Sequence, residues 1–149
     1  DDPATSAVET DLTLFFQELR LDFERSGHKV EINYQGDPVV MLRADSFKRC
    51  LTNLLANAAR YGRTIQINAE RDHRWLTVHV DDDGPGIAPD QREEVFRPFF
   101  RLDEARTIDE GGSGLGLPIA RDIARAHGGD LSLTESPLGG LRASVKIPV

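Results

Sequence analysis

With 149 residues, the chain is sized for one domain around a single core. Its 39% hydrophobic and 29% charged residues describe a globular chain, and no apolar run approaches the roughly 20 residues of a membrane span. A net charge of −7 argues against a nucleic-acid-binding surface, which needs a basic face, but not against one nucleotide held by a local cluster of donors and cations.

Residues 1–9 read as a linker remnant, and the opening Asp-Asp-Pro-Ala-Thr-Ser has no signal-peptide pattern. From 10 to 25, Leu12, Phe15, Phe16, Leu19 and Phe23 repeat at helical spacing, and Ser26-Gly27 ends the helix. Residues 29–34 alternate as a strand, Gly36-Asp37-Pro38 turns the chain, and 39–42 form a short apolar strand. A second helix is predicted from about Asp45 to Tyr61. Asp45 or Ser46 would be its N-cap, Gly62 its stop, and Phe47, Cys50, Leu51, Leu54, Leu55 and Ala58 its buried stripe. Residues 64–69 and 75–80 alternate as a hairpin. Pro89 opens a short helix through about Phe96. Residues 102–112 are polar and aperiodic, which predicts a loop. A helix over 115–126, closed by Gly128-Gly129, precedes a last hairpin of 131–135 and 142–147 around the turn Ser136-Pro137-Leu138-Gly139-Gly140. The sum is an α+β fold: a two-layer sandwich whose mixed, mainly antiparallel sheet of about five strands has one face covered by three helices.

Four stretches suggest chemistry. Asn53 and Asn57, four residues apart, share a helix face, with Arg60 nearly in line. A neutral amide oxygen suits Mg²⁺ whose charge is met by phosphates, although two solvated asparagines are an equally ordinary reading. In Val80-Asp81-Asp82-Asp83-Gly84-Pro85-Gly86-Ile87 a strand ends in carboxylates, and glycines then let the backbone pass close to something flat. A buried carboxylate there can accept from the exocyclic amine of adenine; an acidic hairpin turn is the alternative. Alternation turns Asp82 to one face and Asp81 and Asp83 to the other. Gly111-Gly112-Ser113-Gly114-Leu115-Gly116-Leu117 exposes backbone N–H groups at a helix N-terminus, an arrangement suited to phosphate. It matches neither a P-loop nor a dinucleotide fingerprint, and Lys29, Lys48 and Lys146 all lie far from it. Val95-Phe96-Arg97-Pro98-Phe99-Phe100-Arg101 places three aromatics around a proline, as core packing or as a hinge before the loop. The lone Cys50 excludes an internal disulfide and reads as a buried thiol, and His28, His73, His79 and His127 have no metal-ligand spacing.

In order and spacing, Asn53-x-x-x-Asn57-Ala58, Asp82-x-Gly84-x-Gly86, Phe96-x-Pro98-Phe99-Phe100 and Gly112-x-Gly114-Leu115-Gly116-Leu117 resemble the N, G1, F and G2 boxes of bacterial sensor histidine kinases. The likeness covers residues 10–149 and is to their catalytic ATP-binding domain, of the GHKL or Bergerat fold. Arg60-Tyr61-Gly62, the Asp-Asp-Gly-Pro-Gly-Ile run and residues 105–108 are most like osmosensor kinases of the EnvZ type.

The resemblance implies ATP and Mg²⁺ as cofactors. By position Asn57 would hold the metal and take part in catalysis with Arg101, which would reach the γ-phosphate. Asn53 and Arg60 would serve the phosphates. Tyr61 would lie against the base, Asp82 would accept from its amine and Gly86 would let it in, with Gly84, Ile87 and Phe99 also in the nucleotide site. Gly112, Ser113, Gly114, Leu115, Gly116 and Leu117 would wrap the phosphates, beneath a lid over 102–111 whose Asp109 and Glu110 would face solvent. In the ATPase branches of the fold a glutamate stands at the position of Asn53, and an amide cannot take a proton from water. This favours a kinase, whose γ-phosphate goes to a histidine on a separate dimerisation domain and then to a response regulator. No histidine here has the setting of the usual phosphate acceptor. A hydrolytic ATPase and a nucleotide sensor without transfer are the alternatives. The expected location is cytoplasmic, in a parent protein anchored in the bacterial inner membrane.

Overall fold

The structure is a computed structural model that describes residues 6–97 and 116–149. Phe99, Arg101, Gly112, Ser113, Gly114, Leu115 and the expected lid over 102–111 lie outside the described residues.

The order of elements is β1 (Val8–Asp11), α1 (Leu12–Glu24), β2 (Lys29–Gln35), β3 (Val39–Leu42), α2 (Ala44–Tyr61), β4 (Thr64–Arg71), β5 (Trp75–Asp82), α3 (Gly116–Ala126), β6 (Asp130–Glu135) and β7 (Leu141–Pro148). The main sheet has five strands in the order β2-β4-β5-β7-β6. The β2–β4 pair is parallel and the other three pairs are antiparallel. The crossover from β2 to β4 carries β3 and α2, the length of connection that a parallel pair needs.

Each strand is apolar on one side. Val30, Ile65, Ile67, Leu76, Val78, Val80, Leu131, Leu133, Ala143, Val145 and Ile147 are all buried, and the three helices pack on this face. From α1 come Leu12, Phe15, Phe16 and Leu19; α2 contributes the stripe read from the sequence, from Phe47 to Ala58; α3 contributes Ala120 and Ala124. The other face of the sheet is polar. The expected two-layer α+β architecture is the one observed.

Four local expectations change. Val8 and Glu9, read as linker, pair with Leu42 and Met41, so β1 and β3 form a separate two-stranded ribbon rather than joining the main sheet. Helix α1 starts at Leu12 because the Asp11 carboxylate accepts from the Thr13 amide at 2.9 Å. Neither Asp45 nor Ser46 caps α2: the cap position is Arg43, and the Ser46 hydroxyl donates back to the Arg43 carbonyl at 3.2 Å. In place of one helix over 89–96 there are two single 3-10 turns, Pro89–Gln91 and Glu94–Phe96. So short a segment gains too few helical bonds to offset nucleation. It is held from outside instead, by Val95 in the core and by an Arg121–Glu93 ion pair.

Candidate functional site

The site grows from the junction of α2 with the end of β5. The apolar stripe of α2 fixes the helix against the sheet. That leaves Asn53 and Asn57 half-buried beside the stripe and Arg60 exposed at the last turn. At 1.5 Å per residue, Asn57 and Asn53 stand about 6 and 12 Å back along the helix from Tyr61.

Gly62 stops the helix, its amide donating to the Ala58 carbonyl at 2.8 Å. Two backbones meet here. A Cβ on Gly62 would lie 2.9 Å from Cβ of Asp82, and one on Gly84 would lie 2.6 Å from the Tyr61 carbonyl oxygen. No larger residue fits at Gly84 without displacing backbone, so the glycine maintains the close approach of Tyr61 to the Asp82 turn. Asp83 secures the junction from the other side, with Oδ1 accepting from the amides of Arg63 at 2.7 Å and Thr64 at 3.1 Å.

Asp82 is 2% exposed and faces the helices, as its pairing opposite buried Ile65 requires. Its Oδ1 accepts from the amides of Gly84 at 2.9 Å and Leu141 at 3.2 Å. Burial pushes its carboxyl above the ordinary aspartate value, against the pull of those two N–H groups, and the neighbouring Asp83 and Asp81 push it further up. No ion pair among the described residues includes Asp82. A buried carboxylate left without a cation is costly to a fold, and such groups concentrate at functional sites.

Gly86 is left-handed, with φ 72°, at the point where the chain passes the Gly140 carbonyl. Ile87 and Leu117 are partly buried against the core. Gly116 is the first residue of α3, which lies alongside α2, the Cys50 thiol reaching the Ala120 carbonyl at 3.4 Å. Burial raises that thiol to about 12, which makes it inert packing, as the sequence suggested.

The structure therefore gathers Tyr61, Asp82, Gly84 and Gly86 at one end of α2, and sets Asn53, Asn57 and Arg60 along that helix. Sequence reasoning missed Gly62 as a packing position and missed Gly140 and Leu141 altogether. Their signal was the Gly139-Gly140 pair, read as an ordinary turn.

The donor set fits the implied cofactors. No group of three or more His, Cys, Asp or Glu that could hold a metal occurs among the described residues. An Mg²⁺ here would be carried by an amide oxygen together with ligand phosphates, a hard-oxygen arrangement that this ion accepts. The two glycines at the end of α2 bring the Tyr61 backbone close against the Asp82 turn, so the aromatic ring and the carboxylate belong to one junction.

Comparison with known proteins agrees. Residues 43–149 match the family described as histidine kinase-, DNA gyrase B- and HSP90-like ATPase. The sensor histidine kinase CpxA of Escherichia coli is 39% identical over 128 residues, 85% of this chain and 28% of that protein. The sensor protein kinase CarS of Pseudomonas aeruginosa is 43% identical over 126 residues, 83% of this chain and 27% of that protein. The chain thus spans little more than a quarter of these relatives. Among solved structures, the histidine kinase domain of the E. coli osmosensor EnvZ superposes with a TM-score of 0.71 at 36% identity, covering 97% of this chain and 89% of that one. The catalytic domain of the histidine kinase ThkA superposes at 0.79 and 26% identity, with 95% of each chain covered. The chain belongs to the histidine kinase-, DNA gyrase B- and HSP90-like ATPase family, and within it to the catalytic ATP-binding domains of sensor histidine kinases.

Proposed function

We propose that this domain binds ATP with Mg²⁺ along α2 and the end of β5 and donates the γ-phosphate to a histidine on a separate dimerisation and phosphotransfer domain of the same sensor kinase, upstream of a response regulator. The observation that carries the reading is Asp82, a buried carboxylate at a glycine-lined junction, in no ion pair among the described residues. An ionised carboxylate only accepts hydrogen bonds, so it pairs with an exocyclic amine and repels a carbonyl at the same place. Tyr61 would lie against the base, beside Gly84, Gly86 and Ile87. Asn57 would hold the metal, supported by Asn53, and Arg60 would meet phosphate. When bound, the metal would neutralise charge on the phosphates during transfer. Arg101 and the run 112–117 would complete the phosphate side, and Phe99 would join the nucleotide site.

Asn53 supports a kinase over an ATPase. The amide supplies no general base for water, so bound ATP would keep its γ-phosphate until a histidine nitrogen arrives. No helix of the described residues is long and apolar enough to cross a membrane. The domain's proposed place is the cytoplasmic side of a parent anchored in the inner membrane.

Phosphorus NMR of Mg-ATP with the protein, followed over hours, tests the reading. Perturbed phosphate resonances with little inorganic phosphate released are expected. Catalytic release of phosphate would put the ATPase reading first. Transfer to a supplied acceptor domain separates a kinase from a sensor that merely holds nucleotide.

A further inference from the structure

We infer that the β6–β7 turn, residues 136–141, is part of the base-recognition apparatus, with Gly140 and Leu141 acting as positioning residues that aim the Asp82 carboxylate. This rests on the assignment of Asp82 to the adenine amine.

The turn is built tightly. Within it the Ser136 amide donates to the Gly140 carbonyl at 2.8 Å, the Gly139 amide to the Ser136 carbonyl at 2.9 Å, and the Leu138 amide to the Ser136 hydroxyl at 3.0 Å. Gly139 takes up the reversal at φ 99°. Consecutive amides then reach across to β5. Gly140 N–H donates to the Asp82 carbonyl at 3.2 Å, and Leu141 N–H donates to Asp82 Oδ1 at 3.2 Å. Main chain and side chain of one residue are thereby held by neighbouring donors.

Gly140 has no room for a side chain. A Cβ there would collide with Asp82 Oδ1, and would lie 2.6 Å from both the Asp82 carbonyl oxygen and the Gly84 amide nitrogen. Oδ1 is the acceptor of the carboxylate, and the Gly84 amide is one of its two donors. Both described hydrogen bonds to the carboxylate end on Oδ1, so Oδ2 is the oxygen assigned to the amine of the ligand. The same donors favour the ionised form, the one that only accepts, against the burial that disfavours it. Aim and ionisation are both needed to favour an amine over a carbonyl on the purine ring.

The test compares ATP with purine riboside triphosphate, which lacks the amine, by calorimetry with Mg²⁺ for the native chain and for Gly140→Ala. The native protein is expected to prefer ATP by roughly tenfold or more, the worth of a hydrogen bond to a charged group. In Gly140→Ala the ATP affinity should fall to that of the amine-free analogue, whose own affinity moves less than about twofold, since it loses no bond. Equal weakening of both nucleotides would overturn the inference, because it would mean that the turn shapes the pocket without addressing the base. Retained selectivity would overturn it as well. Should Gly140→Ala fail to fold, Ser136→Ala decides: it removes a hydroxyl that braces Leu138 and also bonds the Asp81 carboxylate on the polar face, and the preference for ATP should shrink by about two- to tenfold. An unchanged preference in Ser136→Ala then counts against the turn. A native protein that binds both nucleotides equally would instead refute the adenine role of Asp82, on which the inference rests.

Discussion

Asp81 and Asp82 are consecutive residues of one strand, 0% and 2% exposed, and they have opposite surroundings. Asp81 lies on the polar face of the sheet. The Arg142 guanidinium grips both of its oxygens, Nε to Oδ1 at 2.8 Å and Nη2 to Oδ2 at 3.0 Å, and the Asn68 amide adds a bond at 2.8 Å. Burial pushes its carboxyl up, but the bonds from Arg142 and Asn68 bring it below the ordinary range. Asp82, on the helix face, has two backbone amides and no ion pair among the described residues, and its carboxyl is raised by burial. Burial alone does not distinguish a structural carboxylate from a functional one. The distinction lies in whether the fold has satisfied it.

The sharpest way to break this contrast is Asp82→Asn. ATP affinity should fall by roughly ten- to a hundredfold as the charged acceptor is lost, measured by calorimetry. The empty domain should melt no lower than the native one, and higher at neutral pH. The raised carboxyl means that the folded state binds more protons than the unfolded one between the two values. Stability therefore falls as pH rises through that window, and at neutral pH the buried charge is a burden that asparagine lifts while keeping an Oδ1 acceptor. An ATP affinity equal to native would remove Asp82 from the site.

Arg142→Ala is the mirror experiment. It strands a carboxylate whose side chain is 1% exposed, and should cost about 1.5–3 kcal/mol in urea unfolding. ATP affinity should stay within about twofold, because none of the proposed binding contacts is removed. A large loss of ATP binding with little loss of stability would reverse the roles assigned to the two faces.

Acid separates the neighbours further. With its folded value depressed, Asp81 contributes stability that is present above the unfolded value of 3.8 and is lost as pH falls through the lower folded one. Unfolding midpoints measured down through that range should fall in the native protein and flatten in Arg142→Ala. The smallest effect is expected at the rim of the same polar face, where Lys146 Nζ sits 4.9 Å from the centroid of Trp75. Lys146→Met should cost about 0.5–1 kcal/mol in the same assay and leave nucleotide binding unchanged.

Much of this was legible beforehand. Alternation alone sends Asp82 to the helix face and Asp81 and Asp83 away from it, since side chains on a strand have a strict period of two. The stripe of α2 was legible for a similar reason: burial imposes the helical period on Phe47, Cys50, Leu51, Leu54, Leu55 and Ala58. The partner of Asp81 was not legible, because Arg142 lies sixty-one residues on and only the pairing of β5 with β7 brings it opposite. The role of the β6–β7 turn was hidden for the same reason, since Gly-Gly announces a turn and says nothing of what the turn touches. The ribbon of β1 with β3 escaped because four-residue strands carry too little pattern. The turns of 89–96 escaped because proline marks where a helix can start and not whether it continues.

The glycines that meet at Asp82 come from three distant stretches of the chain: Gly62 after α2, Gly84 after β5 and Gly140 before β7. The junction around Asp82 therefore has no early or local precursor. It exists only once the last hairpin has docked, because the final donor to Asp82 belongs to β7. Nucleotide affinity is then a gauge of finished folding, silent in any partly formed state. By mass action, ATP should favour completion of the whole domain over every state in which β7 is still loose.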